Sequence, residues 1–290
     1  MLILSSATSM VPEMQNGLIS IIIPIWKPNL SHLKICIDSV LAQTYSDIEI
    51  VIIYKKSPEF DEGFYRLIKE YQDDKIKVVE DNGWIPVARN TGIMKSRGEF
   101  IALMDADDFS EIDRFEKQLK FKEKHKCNVV GSLANLISNE GKKIAKIKVP
   151  ITHQEIREIM MLRNPILNPS ILMDKKMFED IGLYNPSFVY GEDYELWFRA
   201  MFNGYKFGNV PECLISLRYN PQSVTRCSTW RKVRIYNIKA KNRAFLHYGF
   251  FKPRDVFYHL LSAPFTYLVP PIIVLRIMIK FQKLFGWYKT

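Results

Sequence analysis

Four short apolar runs, at residues 19–25, 48–53, 76–79 and 101–104, alternate with segments of helical periodicity. Runs this short, without polar alternation, suit strands buried on both faces, as in a parallel sheet. Between them, Leu33, Ile37, Val40 and Leu41 mark a helix over residues 33–43, and two more are expected over 64–72 and 87–95, the last opened by Pro86. Proline suits the first turn of a helix, because its φ is already helical and its missing N–H would be unpaired there anyway. The order β-α-β-α-β-α-β predicts the α/β class with a mostly parallel central sheet. No Gly-x-Gly-x-x-Gly or Gly-Lys-Ser/Thr loop is present, so any bound phosphates must be held by other means.

The fourth run ends in acids. Phe100-Ile-Ala-Leu-Met-Asp105-Ala-Asp107-Asp108-Phe109 follows a Gly98-Glu99 turn. Its carboxylates should emerge together at the carboxyl end of a buried strand, where open α/β sheets bind ligands. Acids there suit a hard cation, Mn²⁺ or Mg²⁺, that carries a phosphate-bearing substrate. The plainer reading is an acidic turn in which Asp108 or Ser110 caps the next helix, expected over residues 111–125. Beyond it, residues 128–138 and 143–148 flank Asn139-Glu140-Gly141, a hairpin signal. A helix is expected over 153–162, then a Pro- and Asn-rich stretch at 164–170. Another helix begins at Gly191-Glu192-Asp193 with acids in its first turn, as the helix dipole favours.

The formal charge of +10 is unevenly placed: residues 213–290 carry 14 Lys/Arg and one acid, Asp255, whereas residues 1–212 carry 27 against 30. Such a basic region attracts phosphates, of lipid or of nucleic acid, but no nucleic-acid-binding signature accompanies it, so no nucleic-acid partner is expected. The four cysteines (Cys36, Cys127, Cys213 and Cys227) form no CxxC pair and are expected as reduced thiols of a cytosolic protein. Residues 1–17 lack a positive n-region and read as a tail rather than a signal peptide.

Taken in order, these segments form a pattern. An apolar strand contains Pro24; a helix closes on Gln43-Thr44-Tyr45; Ala88-Arg89-Asn90-x-Gly92 follows. Gly98-Glu99-Phe100 then leads to Asp105-Ala-Asp107-Asp108, and Gly191-Glu192-Asp193-Tyr-Glu-Leu-Trp197 comes last. The chain resembles the family-2 glycosyltransferases of the GT-A fold over residues 18–225. The resemblance implies a metal-dependent, non-processive, inverting transfer of one hexose or N-acetylhexosamine from a nucleotide sugar, with a UDP-sugar the leading donor. It makes Asp107 the principal metal ligand, with Asp105 reaching the metal or the ribose. Asp193 becomes the general base, and Arg89 and Asn90 line the donor pocket. Pro24 and Trp26 lie near the nucleotide, and Arg218 is available to a diphosphate. The implied acceptor is a lipid-linked glycan of surface-polysaccharide assembly, at the cytoplasmic face of a membrane.

The sequence departs from the family pattern after the second strand. Relatives carry an acid there that reads the nucleobase, whereas this chain has Tyr54-Lys55-Lys56-Ser57. Lysine only donates hydrogen bonds and cannot replace a carboxylate acceptor, so either Tyr54 contacts the base, or the nucleotide is read differently, or its binding is impaired. Two positions often held by His are Asn168 and Asn220. The Gln-x-x-Arg-Trp motif of processive synthases is absent, since Gln222-Ser-Val-Thr-Arg226 is followed by Cys227.

Residues 226–290 read as a basic, apolar, helical extension. Pro264, Pro270 and Pro271 interrupt the apolar stretch 256–279, which also contains His259 and Arg276; a spanning helix needs about 20 uninterrupted apolar residues. Arg276, Lys280 and Lys283 form a basic stripe suited to an anionic membrane surface. Spanning, lying on and avoiding the membrane all stay open. The alternative reading of the whole chain is a non-catalytic nucleotide- or glycan-binding relative; a nucleotidyltransferase and a nucleic-acid binder are weaker rivals.

Overall fold

The computed structural model describes residues 12–219 and 230–248. The alternating half folds as expected. Strand β1 (Gln15–Trp26) leads through helix α1 (Leu30–Leu41) to β2 (Ile48–Lys55), then through α2 (Pro58–Tyr71) to β3 (Ile76–Glu80) and through α3 (Ile85–Lys95) to β4 (Gly98–Leu103). These four strands lie parallel in the order β3-β2-β1-β4. Ile19, Ile21, Ile22 and Ile23 are fully buried, as are Ile50, Val51 and Ile52, because helices cover both faces of the sheet. Helix α3 approaches β1 so closely that a Cβ on Gly92 would stand 2.5 Å from Ile22 Cγ2.

The remaining chain extends the sheet. A short strand, β5 (Phe109–Ser110), precedes α4 (Arg114–His125), and β6 (Val129–Ile137) pairs with β7 (Lys143–Ile147) as the expected hairpin. After α5 (His153–Ile159) come β8 (Leu172–Asp174), α6 (Met177–Ile181), α7 (Glu192–Phe202), β9 (Phe207–Arg218) and α8 (Trp230–Tyr248). Among the described residues the strand order is β3-β2-β1-β4-β8-β6-β9-β5. Strand β8 is antiparallel to both β4 and β6, and β9 runs parallel to β6.

Three boundaries differ from the sequence reading. Strand β1 begins at Gln15, which pairs with Gly98, so residues 15–17 belong to the sheet and not to the tail expected over 1–17. Helix α2 begins at Pro58 with Glu59 and Asp61 in its first turn, six residues before its apolar periodicity becomes visible. Helix α8 lies in the region expected to form a separate extension, yet its Ala240 and Ala244 are buried in the same core cluster as Tyr194 and Trp197 of α7. Asn220, the 222–226 segment and residues 249–290, including the apolar stretch 256–279, lie outside the described residues. Among the described residues no helix is long and apolar enough to cross a membrane.

Candidate active site

The acids of the fourth run leave the sheet at the carboxyl end of β4. Asp108 N–H donates to Asp105 C=O at 3.2 Å, folding Asp105–Asp108 into a turn. Arg218 braces it, and Arg114 holds the strand end that leads into it. Arg218, at the end of β9, donates its backbone N–H to Asp108 Oδ1 at 2.8 Å and its Nε to Asp107 C=O at 3.0 Å. Its Nη1 reaches Ser138 C=O at 3.1 Å and also Asn139 C=O in the hairpin turn. Much of the guanidinium expected to meet a diphosphate is thus engaged on main-chain carbonyls. From below, Arg114 is fully buried and donates to Leu103 C=O and Ile171 C=O, both at 3.2 Å, and to Gln118 Oε1 at 3.0 Å. Burial pushes its pKa down to about 9.

The second acid pair stands at the start of α7. Gly191, with φ +65°, caps this helix; the left-handed turn aims Glu192 and Asp193 inward, and glycine adopts it without a Cβ penalty. Glu192 is buried in an ion pair with Arg89 of α3. The Asn168 amide, oriented with its oxygen toward Arg89, accepts from Nη2 and Nη1 at 2.9 and 3.0 Å. Asp193 Oδ2 accepts from Asn164 Nδ2 at 2.8 Å, and Oδ1 from Tyr194 N–H at 2.8 Å.

The two acid groups share one electrostatic environment. Burial raises the pKa of Asp105; Arg89 opposes the shift, while Asp107 and Asp193 add to it. Burial likewise raises Asp193, again opposed by Arg89 and by the hydrogen bonds it accepts. At Glu192 burial and Asp193 outweigh the attraction of Arg89, so its pKa is also raised, whereas Glu192 holds the proton on Arg89 more firmly. Carboxylates raised by burial and by one another mark a place where positive charge is missing. A divalent cation fits that deficit. Among the described residues no three His, Cys, Asp or Glu side chains form a complete cage, so the cation's shell would need substrate phosphates and water, as is usual for Mg²⁺. Asp107 and Asp105 are the residues that could hold it.

Several expected residues are placed differently. Tyr54 is 0% exposed, its ring stacked on Phe64 at 3.8 Å between centroids and its hydroxyl donating to Asp61 at 2.6 Å. It is a core residue and does not offer an edge to a nucleobase. Asn90 donates to Tyr184 C=O at 2.8 Å and accepts from Tyr184 N–H at 2.9 Å, so both ends of its amide clamp a loop rather than line a pocket. Pro24 is half-buried within β1, in register with Ile53. Trp26 is 59% exposed at the strand end, beside Lys27, whose φ of 49° turns the chain.

Other residues near the site escaped the sequence reading. Trp84, 62% exposed, faces Trp26 across a lysine: the Lys55 ammonium lies 5.4 Å from the Trp26 ring centroid and 5.1 Å from that of Trp84. The Gly83-Trp84 pair before a Pro-opened helix was the available signal. His32, in the first turn of α1, has its pKa lowered by burial and by Arg218, partly offset by Asp107. Arg114, in a helix that also carries Lys117, Lys120, Lys122 and Lys124, had no distinguishing sequence context.

Comparisons with known proteins point to one family. Residues 20–182 match the profile of Glycosyl transferase family 2. An uncharacterized glycosyltransferase of Methanocaldococcus jannaschii is 27% identical over 93% of this chain and 95% of its own length. The O-antigen biosynthesis glycosyltransferase WbnJ of Escherichia coli is 30% identical over 72% of this chain and 82% of its own. The amylovoran biosynthesis glycosyltransferase AmsE of Erwinia amylovora is 26% identical over 76% and 85% respectively. Among solved structures, S. aureus TarS 1-349 in complex with UDP-GlcNAc superimposes with a TM-score of 0.65 at 15% identity, covering 88% of this chain and 76% of that one. At that identity the likeness concerns the fold.

Proposed function

The chain belongs to glycosyl transferase family 2 and is a glycosyltransferase, and from that premise we propose that it transfers a single sugar, with inversion, from a UDP-sugar to a glycan acceptor in surface-polysaccharide assembly. The observation that carries this reading is the shared environment of Asp105 and Asp193 around the buried Arg89, with Asp107 acting on Asp105. The named relatives in O-antigen and amylovoran biosynthesis support the pathway class, and the UDP-GlcNAc complex of a structural neighbour supports the donor class.

In this reading Asp193 takes the proton of the acceptor hydroxyl as its oxygen bonds to the anomeric carbon and the bond to the nucleotide diphosphate breaks. A raised pKa makes Asp193 a stronger base than an ordinary carboxylate, and Asn164 fixes the orientation of its carboxyl group. Arg89, held by Glu192 and Asn168, keeps Asp105 and Asp193 sufficiently ionised to act. Mn²⁺ or Mg²⁺ held by Asp107 and Asp105, when bound, would supply Lewis-acid stabilisation of the charge on the leaving diphosphate. The base is read by the Trp26–Lys55–Trp84 edge instead of by Tyr54: an indole face stacks, and Lys55 donates to a base carbonyl.

Titration of UDP, dTDP and GDP with and without Mn²⁺, into the wild type and Asp107→Ala, tests the proposal. Tight, metal-dependent binding of UDP that Asp107→Ala abolishes is the expected result. Trp84→Ala should weaken it by about 1–3 kcal/mol. No nucleotide binding under any condition would return the chain to the non-catalytic reading.

A further inference from the structure

Asn90, expected to line the donor pocket, is engaged at both ends of its amide by the backbone of one residue. Its Nδ2 donates to Tyr184 C=O at 2.8 Å, and its Oδ1 accepts from Tyr184 N–H at 2.9 Å. Both residues are buried, where a hydrogen bond is stronger than in water. From the other side, Arg199 of α7 donates to the carbonyls just before Tyr184: to Gly182 at 2.9 Å, to Leu183 at 2.8 Å and also to Ile181. Residues 181–184 therefore form a strap that ties Asn90 of α3 to Arg199 of α7.

Helix α7 has a second tie to α3. Glu192, its first residue, is paired with Arg89, the neighbour of Asn90. Glu192 and Arg199 are seven residues apart, so they share one helix face, about 10 Å from each other along the axis. One tie leaves the roll and tilt of a helix to packing alone, whereas two ties two turns apart fix both. Asp193 directly follows Glu192, so its direction depends on the roll of α7. The Tyr184 ring belongs to the same frame, lying 5.7 Å from Arg89 Cζ at its centroid. Arg89 Nε has no hydrogen-bond partner among the described residues. The guanidinium is thus oriented by Glu192, by Asn168 and by the ring of the residue that Asn90 holds.

We propose that Asn90 is a positioning residue for Asp193: through the 181–184 strap it fixes the roll of α7, and so the direction of the carboxylate that meets the acceptor hydroxyl. The inference rests on the assignment of Asp193 as the base in the proposed function, and it adds no chemical step. It takes Asn90 out of donor binding and gives it an effect on transfer alone. The leverage is large, because a misplacement of about 1 Å in a reacting group can cost about 10²-fold in rate.

The test is a double-mutant cycle of Asn90→Ala and Asp193→Asn in the full-length chain. Turnover is read as UDP release from UDP-GlcNAc with Mn²⁺, water standing in for the acceptor. Calorimetric titration with UDP gives the affinity, and its stoichiometry gives the folded fraction. Asn90→Ala should lower kcat about 10- to 100-fold while UDP affinity stays within about twofold of the wild type. In the Asp193→Asn background the same change should cost less than about twofold, because the group it positions is gone. Losses that combine in full overturn the proposal. So does a loss of UDP affinity of about tenfold, which would return Asn90 to the donor pocket. Asn90→Ser, which retains a hydroxyl for one of the two bonds, takes the place of Asn90→Ala if the latter does not fold, and should show the same pattern at smaller size. A second readout needs no turnover and decides alone where water does not replace the acceptor. Tyr194 N–H donates to Asp193 Oδ1 at 2.8 Å, so its hydrogen exchange should quicken in the Asn90 variants; unchanged exchange overturns the proposal. If Asp193→Asn releases UDP as fast as the wild type, the base assignment fails and the inference with it, whereas the other failures leave that assignment standing.

Discussion

The acidic segments at the end of β4 and the start of α7 are alike in sequence and divide their labour differently in space. In Asp105–Asp108 the last acid is braced, its Oδ1 accepting from Arg218 N–H, while Asp105 and Asp107 are the carboxylates proposed above as cation ligands. In Glu192–Asp193 the first acid is braced, locked to Arg89, while Asp193 keeps only orienting hydrogen bonds. Each segment thus has one carboxylate bound into the structure, and the roles proposed above fall to Asp105 and Asp107 in the first and to Asp193 in the second. The bracing differs in kind. Asp108 accepts from a backbone amide, whereas Glu192 is paired with a buried cation, so disturbing the second should cost far more stability.

The largest expected effect is on catalysis. Asp193→Asn keeps the shape and the contact with Asn164, and should slow transfer by about 10²–10⁴-fold while leaving metal-dependent UDP affinity unchanged. A parallel loss of UDP affinity would mean that both α7 acids are structural. Next comes Arg89→Met, which strands Glu192 as a buried, unpaired charge. Urea unfolding at neutral pH should show a loss of about 3–5 kcal/mol, partly recovered in Arg89→Met/Glu192→Gln. The loss should shrink as pH falls, because the raised pKa of Glu192 lets it take up a proton and shed the unpaired charge.

Asp108→Asn should do the opposite at smaller size. Asparagine can still accept from Arg218 N–H, and the substitution removes a buried charge. The pKa of Asp108 is raised by burial and then by Asp105 and Asp107, so the native state binds its proton more tightly than the unfolded chain does. That contribution to stability is lost as pH rises from the unfolded pKa through the folded one. The thermal midpoint of Asp108→Asn should therefore gain on the wild type as pH rises, and metal-dependent binding should persist. A large loss of metal binding would show that Asp108 is a ligand. The smallest effect belongs to Asn164→Ala. Its hydrogen bond lowers the pKa of Asp193, so without it the acid limb of the kcat/KM profile should move to higher pH. An unmoved limb would assign that limb to another group.

Much of this was legible along the chain because it depends on local periodicity. The strands β1 to β4 and the acids at the carboxyl end of β4 follow from apolar runs and from the rule that ligands gather there. The acids in the first turn of α7 were legible too, whereas the left-handed turn at Gly191 and the burial of Glu192 were not. The antiparallel β8 and the parallel pairing of β9 with β6 were not legible. Strand β8 is only three residues long, too short for a pattern, and its neighbours are distant in sequence. Tyr54 shows the same limit at the site. It ends an apolar strand next to a lysine, and only the packing of Phe64 and the position of Asp61 turn its ring into the core and give its hydroxyl a partner.

From the order of its residues alone, then, the chain commits to a parallel α/β half, a cluster of strand-end acids and a second acid pair at a helix start, since backbone propensity and hydrophobic period are local properties. Which acid is braced, that the buried Arg114 ties the end of β4 to Ile171, and that α8 packs on α7 as part of the same core were settled by folding. Burial, charge compensation and hydrogen-bond pairing depend on groups far apart in sequence. Their energies exist only once the tertiary structure has brought those groups together and excluded water from between them.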